Sequence, residues 1–91
     1  MNALSKGIES FTVQPNPLFG SGIINYEVSE DTYVEISIYN MLGKAVSTLV
    51  QSNKSSGKHS IEIDSKNLEK GIYFVRMSAG NNMRTQKLII Q

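Results

Sequence analysis

Apolar residues recur at every second position through most of this chain, and turn-forming residues break the runs at short, even intervals. A period of two marks a strand with one buried and one wet face, and a chain that keeps it throughout leaves no room for a long helix. Ile8 to Gln14 reads as a first strand, stopped by Pro15-Asn16-Pro17, where two prolines remove amide donors and force extended or turn geometry. Gly22 to Val28 alternates Ile24, Tyr26 and Val28 against Ile23, Asn25 and Glu27. After a turn at Ser29 to Thr32, Tyr33 to Tyr39 places Val34, Ile36 and Ile38 on one face.

Asn40-Met-Leu-Gly43 is a connector whose glycine adopts a positive φ angle that a β-carbon would penalise. Lys44 to Val50 reads as the fourth strand and Gln51 to Gly57 as a polar loop. His59, Ile61 and Ile63 then alternate with Lys58, Ser60 and Glu62. Gly71 to Ser78 and Met83 to Ile90 form a closing hairpin around Ala79-Gly-Asn-Asn82, and Ser65 to Lys70 holds one helical turn at most. The pattern predicts an all-β fold, a seven-stranded antiparallel immunoglobulin-like β-sandwich. A 91-residue chain of 10.1 kDa buries roughly 64 % of its unfolded surface, enough for one core without metal or disulfide.

Domains commonly let their last residues fray. Leu88, Ile89 and Ile90 are too apolar to be left in water, so the terminus is expected to be held in a sheet or by a partner, and itself to be read by something. At the other end, Met1 to Lys6 reads as a linker remnant, and residues 1–10 lack the apolar core of a signal peptide. No apolar run approaches the ~20 residues that cross a bilayer. Nine basic and eight acidic residues are interspersed, for a net charge of +1, which gives no field for nucleic acid or membrane. Zero cysteines remove disulfides, thiolate metal sites and thiol nucleophiles together, while leaving the compartment open.

Each candidate for chemistry has a plainer explanation. His59 is the only histidine, in register with Ile61 and Ile63, so no triad is available and packing is the expected role. Glu30 and Asp31 fall short of the six to eight oxygens that calcium takes and read as a solvated turn. Asn53-Lys54-Ser55 fits the glycosylation pattern, and Glu62 and Asp64 share a strand face, but a small sandwich has little room for a cleft between paired carboxylates. Gly43, Gly57, Gly71 and Gly80 are separated by strands and make no phosphate loop. An enzyme is not expected, nor any cofactor or metal. Tyr33 and Tyr39 share a face with Glu35 and Ser37, which raises a second reading: a sugar- or protein-binding accessory module of a secreted enzyme.

An ordered set of motifs carries a resemblance: Pro15-Asn16-Pro17, Tyr39-Asn40-Met-Leu-Gly43-Lys44-Ala-Val46, Gly57-Lys-His-Ser-Ile61, Leu68-x-x-Gly71-Ile-Tyr73-Phe-Val75 and Lys87-Leu-Ile-Ile90. Any one of them is weak; all five in this order and at this spacing are a strong signal. From about Phe11 to Gln91 the chain resembles the type A C-terminal sorting domain of the type IX (Por) secretion system of Bacteroidetes. The resemblance divides the chain into a leader at 1–10 and the sorting domain at 11–91. It implies a non-catalytic address at the end of a cargo protein, recognised in the periplasm and passed through an outer-membrane translocon with the help of a shuttle. A sortase-like cysteine protease then removes the address on its N-terminal side. The cargo is released or attached to anionic lipopolysaccharide, at the cell surface or outside the cell, with no membrane insertion of the domain.

On this resemblance Lys87, Leu88, Ile89 and Ile90 are the expected recognition element, read through main-chain hydrogen bonds at a sheet edge. Arg84 and Lys87 would guard that edge against aggregation. Gly71 and Tyr73 would set the strand paired with it, Pro15, Asn16 and Pro17 the entry of the chain, and Gly43 and Gly57 turns.

Overall fold

The computed structural model describes residues 7–91 and contains seven strands: β1 (Ile8–Gln14), β2 (Ser21–Val28), β3 (Thr32–Tyr39), β4 (Ala45–Lys54), β5 (Gly57–Asp64), β6 (Gly71–Ala79) and β7 (Asn82–Ile90). Met1 to Lys6, read above as a linker remnant, lie outside the described residues. All pairings between strands are antiparallel, in a three-stranded sheet ordered β1-β2-β5 and a four-stranded sheet ordered β4-β3-β6-β7. The expected seven-stranded sandwich is therefore the fold. Its arrangement is of the immunoglobulin kind, except that the fourth strand lies beside the third rather than the fifth.

Alternation builds the core. Ile24, Val28 and Ile63 from one sheet meet Val34, Ile36, Ile38, Val75, Met77 and Leu88 from the other, all at 1 % exposure or less. Burying each such side chain stabilises by about 1.5–3 kcal/mol, so this shared layer is the main force holding the sheets together. Tyr73, Val75 and Met77 point inward as their spacing requires. At the start of β6, the Tyr73 hydroxyl donates to the Glu69 carbonyl at 2.7 Å. That bond from the sixth strand to the preceding corner is the tyrosine corner of Greek-key sandwiches.

One connection differs from expectation. Gln51 to Gly57 is not a loop: Gln51 to Lys54 continue β4, pairing with Glu35 back to Thr32, and Gly57 opens β5. Only Ser55 and Ser56 connect the two, with the Ser56 amide donating to Asp31 Oδ1 at 2.9 Å. The reason is that β4 is an edge strand whose Gln51, Ser52 and Asn53 are exposed. Backbone pairing with β3 forms this stretch, and side-chain alternation carries no trace of it.

At the opposite edges, β1 and β7 face one another across the sandwich. Arg84 Nη2 donates to the Ile8 carbonyl at 2.9 Å, and Gln86 Nε2 donates to the Phe11 carbonyl. Arg84 thus ties the two sheets together rather than standing free as a guard of the edge.

Candidate functional site

The hairpin and corner geometry brings four segments to one end of the sandwich: Pro15 to Gly20, Asn40 to Lys44, Ser65 to Lys70, and the end of β7. Ser65 joins the first to the third, since its amide and its hydroxyl both donate to the Gly20 carbonyl, at 2.9 and 2.8 Å. The Asn40 side chain organises the second by accepting from the Leu42 and Lys44 amides at 2.9 and 3.0 Å. Gly43 completes that turn at φ +84°, donating to the Asn40 carbonyl at 3.0 Å.

The fourth segment is the one the sequence marks out. In β7, Leu88 and Ile90 are buried, at 0 % and 3 % exposure, so Lys87 and Ile89 point to the solvent face of the sheet. Leu88 stands opposite Tyr73, Ile90 opposite Gly71, and Ile89 opposite Ile72. Gly71 and Tyr73 lie in the strand that pairs with the terminus.

The outer edge of this segment is not open. Asn16 Nδ2 donates to the Lys87 carbonyl at 2.8 Å, and Asn16 Oδ1 accepts from the Ile89 amide at 3.2 Å. Next along the strand, the Leu18 amide donates to the Ile89 carbonyl at 2.7 Å and the Gln91 amide donates to the Leu18 carbonyl at 2.9 Å. A side-chain amide and then one residue of backbone act as a substitute partner strand, over four successive outward groups of the terminus. Leu18 anchors this clasp because its side chain is fully buried. Gly22 makes room for it: a β-carbon there would lie 2.3 Å from the Gln14 carbonyl oxygen and 2.8 Å from a Leu18 methyl. The Gln14–Pro15 and Asn16–Pro17 peptide bonds are both cis.

The structure therefore gathers Pro15, Asn16, Pro17, Gly43, Gly71, Tyr73 and Lys87 to Ile90 at one pole. Gly57 (φ +123°) lies at the other end, where β4 turns into β5. Main-chain reading of an open edge at Lys87 to Ile90 does not fit this geometry, because Asn16 and Leu18 already occupy the outward groups. Sequence reasoning named Asn16 only as part of the chain's entry, and passed over Leu18, Ser65 and Gly22. The apolar pair Leu18-Phe19 just after a proline-rich turn was the available hint that the loop folds back onto the core.

The remaining candidates are placed as structure. The His59 ring stacks on Tyr26 with centroids 5.3 Å apart, and its Nε2 hydrogen-bonds the Ser55 carbonyl at 2.8 Å. Burial raises the pKa of the Tyr26 hydroxyl above its ordinary value. Glu62 and Asp64 are exposed, and Asp64 Oδ1 accepts from the Lys66 amide at 3.0 Å. Among the described residues no cluster of three metal-binding side chains occurs. Tyr33 is half exposed while Tyr39 lies under the Arg76 guanidinium, 4.5 Å from its ring centre. The two tyrosines are six positions apart along β3, roughly 20 Å, so they make no continuous platform.

A comparison with curated proteins finds no match. Among solved structures, the Ig1 domain of mouse SynCAM 2 is similar at 16 % identity and a TM-score of 0.48, over 89 % of this chain and 92 % of that one. The model of the secretion system C-terminal sorting domain family matches residues 12–91. By that match, which spans every segment of the clasped pole, the chain belongs to the family of C-terminal sorting domains of the type IX secretion system.

Proposed function

We propose that this domain is the address by which its cargo crosses the outer membrane through the type IX translocon, and that the clasped pole is the part that is read. The observation that carries the reading is the convergence of the terminal strand with Pro15–Pro17, Gly43, Gly71 and Tyr73 at one end of the fold. Recognition takes place in the periplasm, and an outer-membrane shuttle and a sortase-like cysteine protease act afterwards. In this scheme residues 11–91 carry the address and residues 1–10 lead into it, with Ile8 to Ser10 already running in β1. The cut falls before Gly7, whose amide donates to Ser29 Oγ at 2.7 Å and whose carbonyl accepts from the Ser29 amide at 2.9 Å. Protease cleavage needs an extended, accessible segment, and Gly7 is already tied into the sandwich. The cargo is then released or joined to anionic lipopolysaccharide.

The test is export of a fluorescent reporter carrying an N-terminal signal peptide and residues 1–91 at its C-terminus, in a bacterium with a working type IX system. Appearance of the reporter in the medium or at the surface, dependent on that system, is the expected result. Retention in the periplasm would remove the reading.

A further inference from the structure

The clasp decides how the terminal strand presents itself. In an antiparallel sheet, a strand's backbone groups alternate between its two neighbours. Leu88 and Ile90 face β6, and the outward groups of Lys87, Ile89 and Gln91 are held by Asn16 and Leu18. Strand addition needs those outward groups free, so at this end of β7 it would first have to displace a buried leucine and a side-chain amide. What remains accessible is the solvent face. Ile72 and Ile89 lie side by side there, with Ile72 39 % exposed, and Lys87 sits opposite Phe74. Arg76 extends the same face, its guanidinium 4.5 Å from the Tyr39 ring centre. Neither Gly71 to Val75 nor Thr85 to Ile89 contains a carboxylate, so the patch is apolar at its centre with Lys87 beside it, while Glu69 precedes β6 and Glu35 stands opposite Ser78 farther along the sheet.

We propose that the terminal strand is read as a closed, pre-assembled surface and not by strand addition. The partner presents an apolar surface to Ile72 and Ile89 with a carboxylate opposite Lys87, and Asn16 is the positioning residue that fixes this face. The inference rests on the sorting function proposed above and specifies its mode of recognition. Charge complementarity selects the partner's chemistry, since the charged side chains that β6 and β7 place on this face, Arg76 and Lys87, are both cations.

The experiment uses the full chain as a reporter fusion, comparing wild type with Lys87→Glu, Ile72→Ser and Asn16→Ala, with the thermal transition of each purified domain as a fold control. Lys87 is exposed on the solvent face, so Lys87→Glu keeps a readout even if Asn16→Ala fails to fold. Surface reading predicts that Lys87→Glu keeps the wild-type transition, that Ile72→Ser lowers it but stays cooperative, and that both lose export about fivefold or more, the loss typical of a residue central to an interface. Asn16→Ala is expected to speed hydrogen exchange of the Ile89 amide by about tenfold, one hydrogen bond's worth, while the Leu88 and Ile90 amides stay protected. Its export falls with that change. Unchanged export of Lys87→Glu and Ile72→Ser beside an exported wild type overturns the inference while leaving the sorting function standing. Raised export of Asn16→Ala overturns it in favour of strand addition. No export of the wild type overturns both.

Discussion

Single hydrogen bonds fix the corners of this fold, and Tyr73 shows how much rests on one hydroxyl. Its ring is part of the core, and its hydroxyl reaches back to the Glu69 carbonyl. Tyr73→Phe keeps the ring and deletes the bond, so the expected loss is about 1 kcal/mol, read as a lower urea midpoint at unchanged slope. Tyr26 offers a different test. Burial favours its neutral form, which raises its pKa in the folded state above the value near 10 in the unfolded chain. A raised folded-state pKa means that the unfolded state releases the proton first as pH rises. The contribution is therefore complete below pH 10 and is lost as pH climbs through the folded-state value. Thermal midpoints of wild type and Tyr26→Phe, followed from pH 8 to pH 11.5, should show the steeper alkaline decline in wild type.

Among the elements, legibility followed burial. The strands with one buried face (β1, β2, β3, β6 and β7) carry alternation that the core enforces, and they were readable from residues such as Phe11, Ile24, Val34, Ile36, Val75 and Leu88. The second half of β4 was not, since Gln51 to Asn53 are exposed and only the backbone of β3 holds them. The clasp was illegible for a related reason: it consists of one side-chain amide and one residue of backbone reaching β7 across more than seventy positions of sequence, and neither leaves a periodic trace. The β3–β4 turn was legible through Gly43. Its φ is +84°, and nothing lies within 4 Å of the place a β-carbon would take, so Gly43→Ala meets no clash and suffers only the backbone penalty. That penalty is about 1–2 kcal/mol, to be read in equilibrium unfolding, with no change in the patch around Ile72 and Ile89.

At the scale of the whole molecule, the two ends have separate tasks. Gly7, tied to Ser29, enters at one pole, while Gln91 leaves at the other, in a body whose longest dimension is 43 Å. Cargo and clasped pole therefore do not compete for space. The same arrangement makes truncation a poor probe of recognition. Deleting Lys87 to Gln91 removes Leu88 and Ile90 from the core and leaves Leu18 without its partner. Losing large buried side chains costs about 2–5 kcal/mol each, against a total stability of roughly 5–14 kcal/mol for a chain of this size. The shortened chain is expected to show no cooperative thermal transition, and its failure to be exported would report unfolding alone. A short polar extension after Gln91 touches none of these contacts, because Gln91 is exposed and only its amide is engaged. That variant should melt within about 4 °C of wild type, since a change under ~0.5 kcal/mol moves the midpoint no further in a domain of this size. If it melts as wild type does and yet fails in export, access to the pole, and not the fold, is what the extension has blocked.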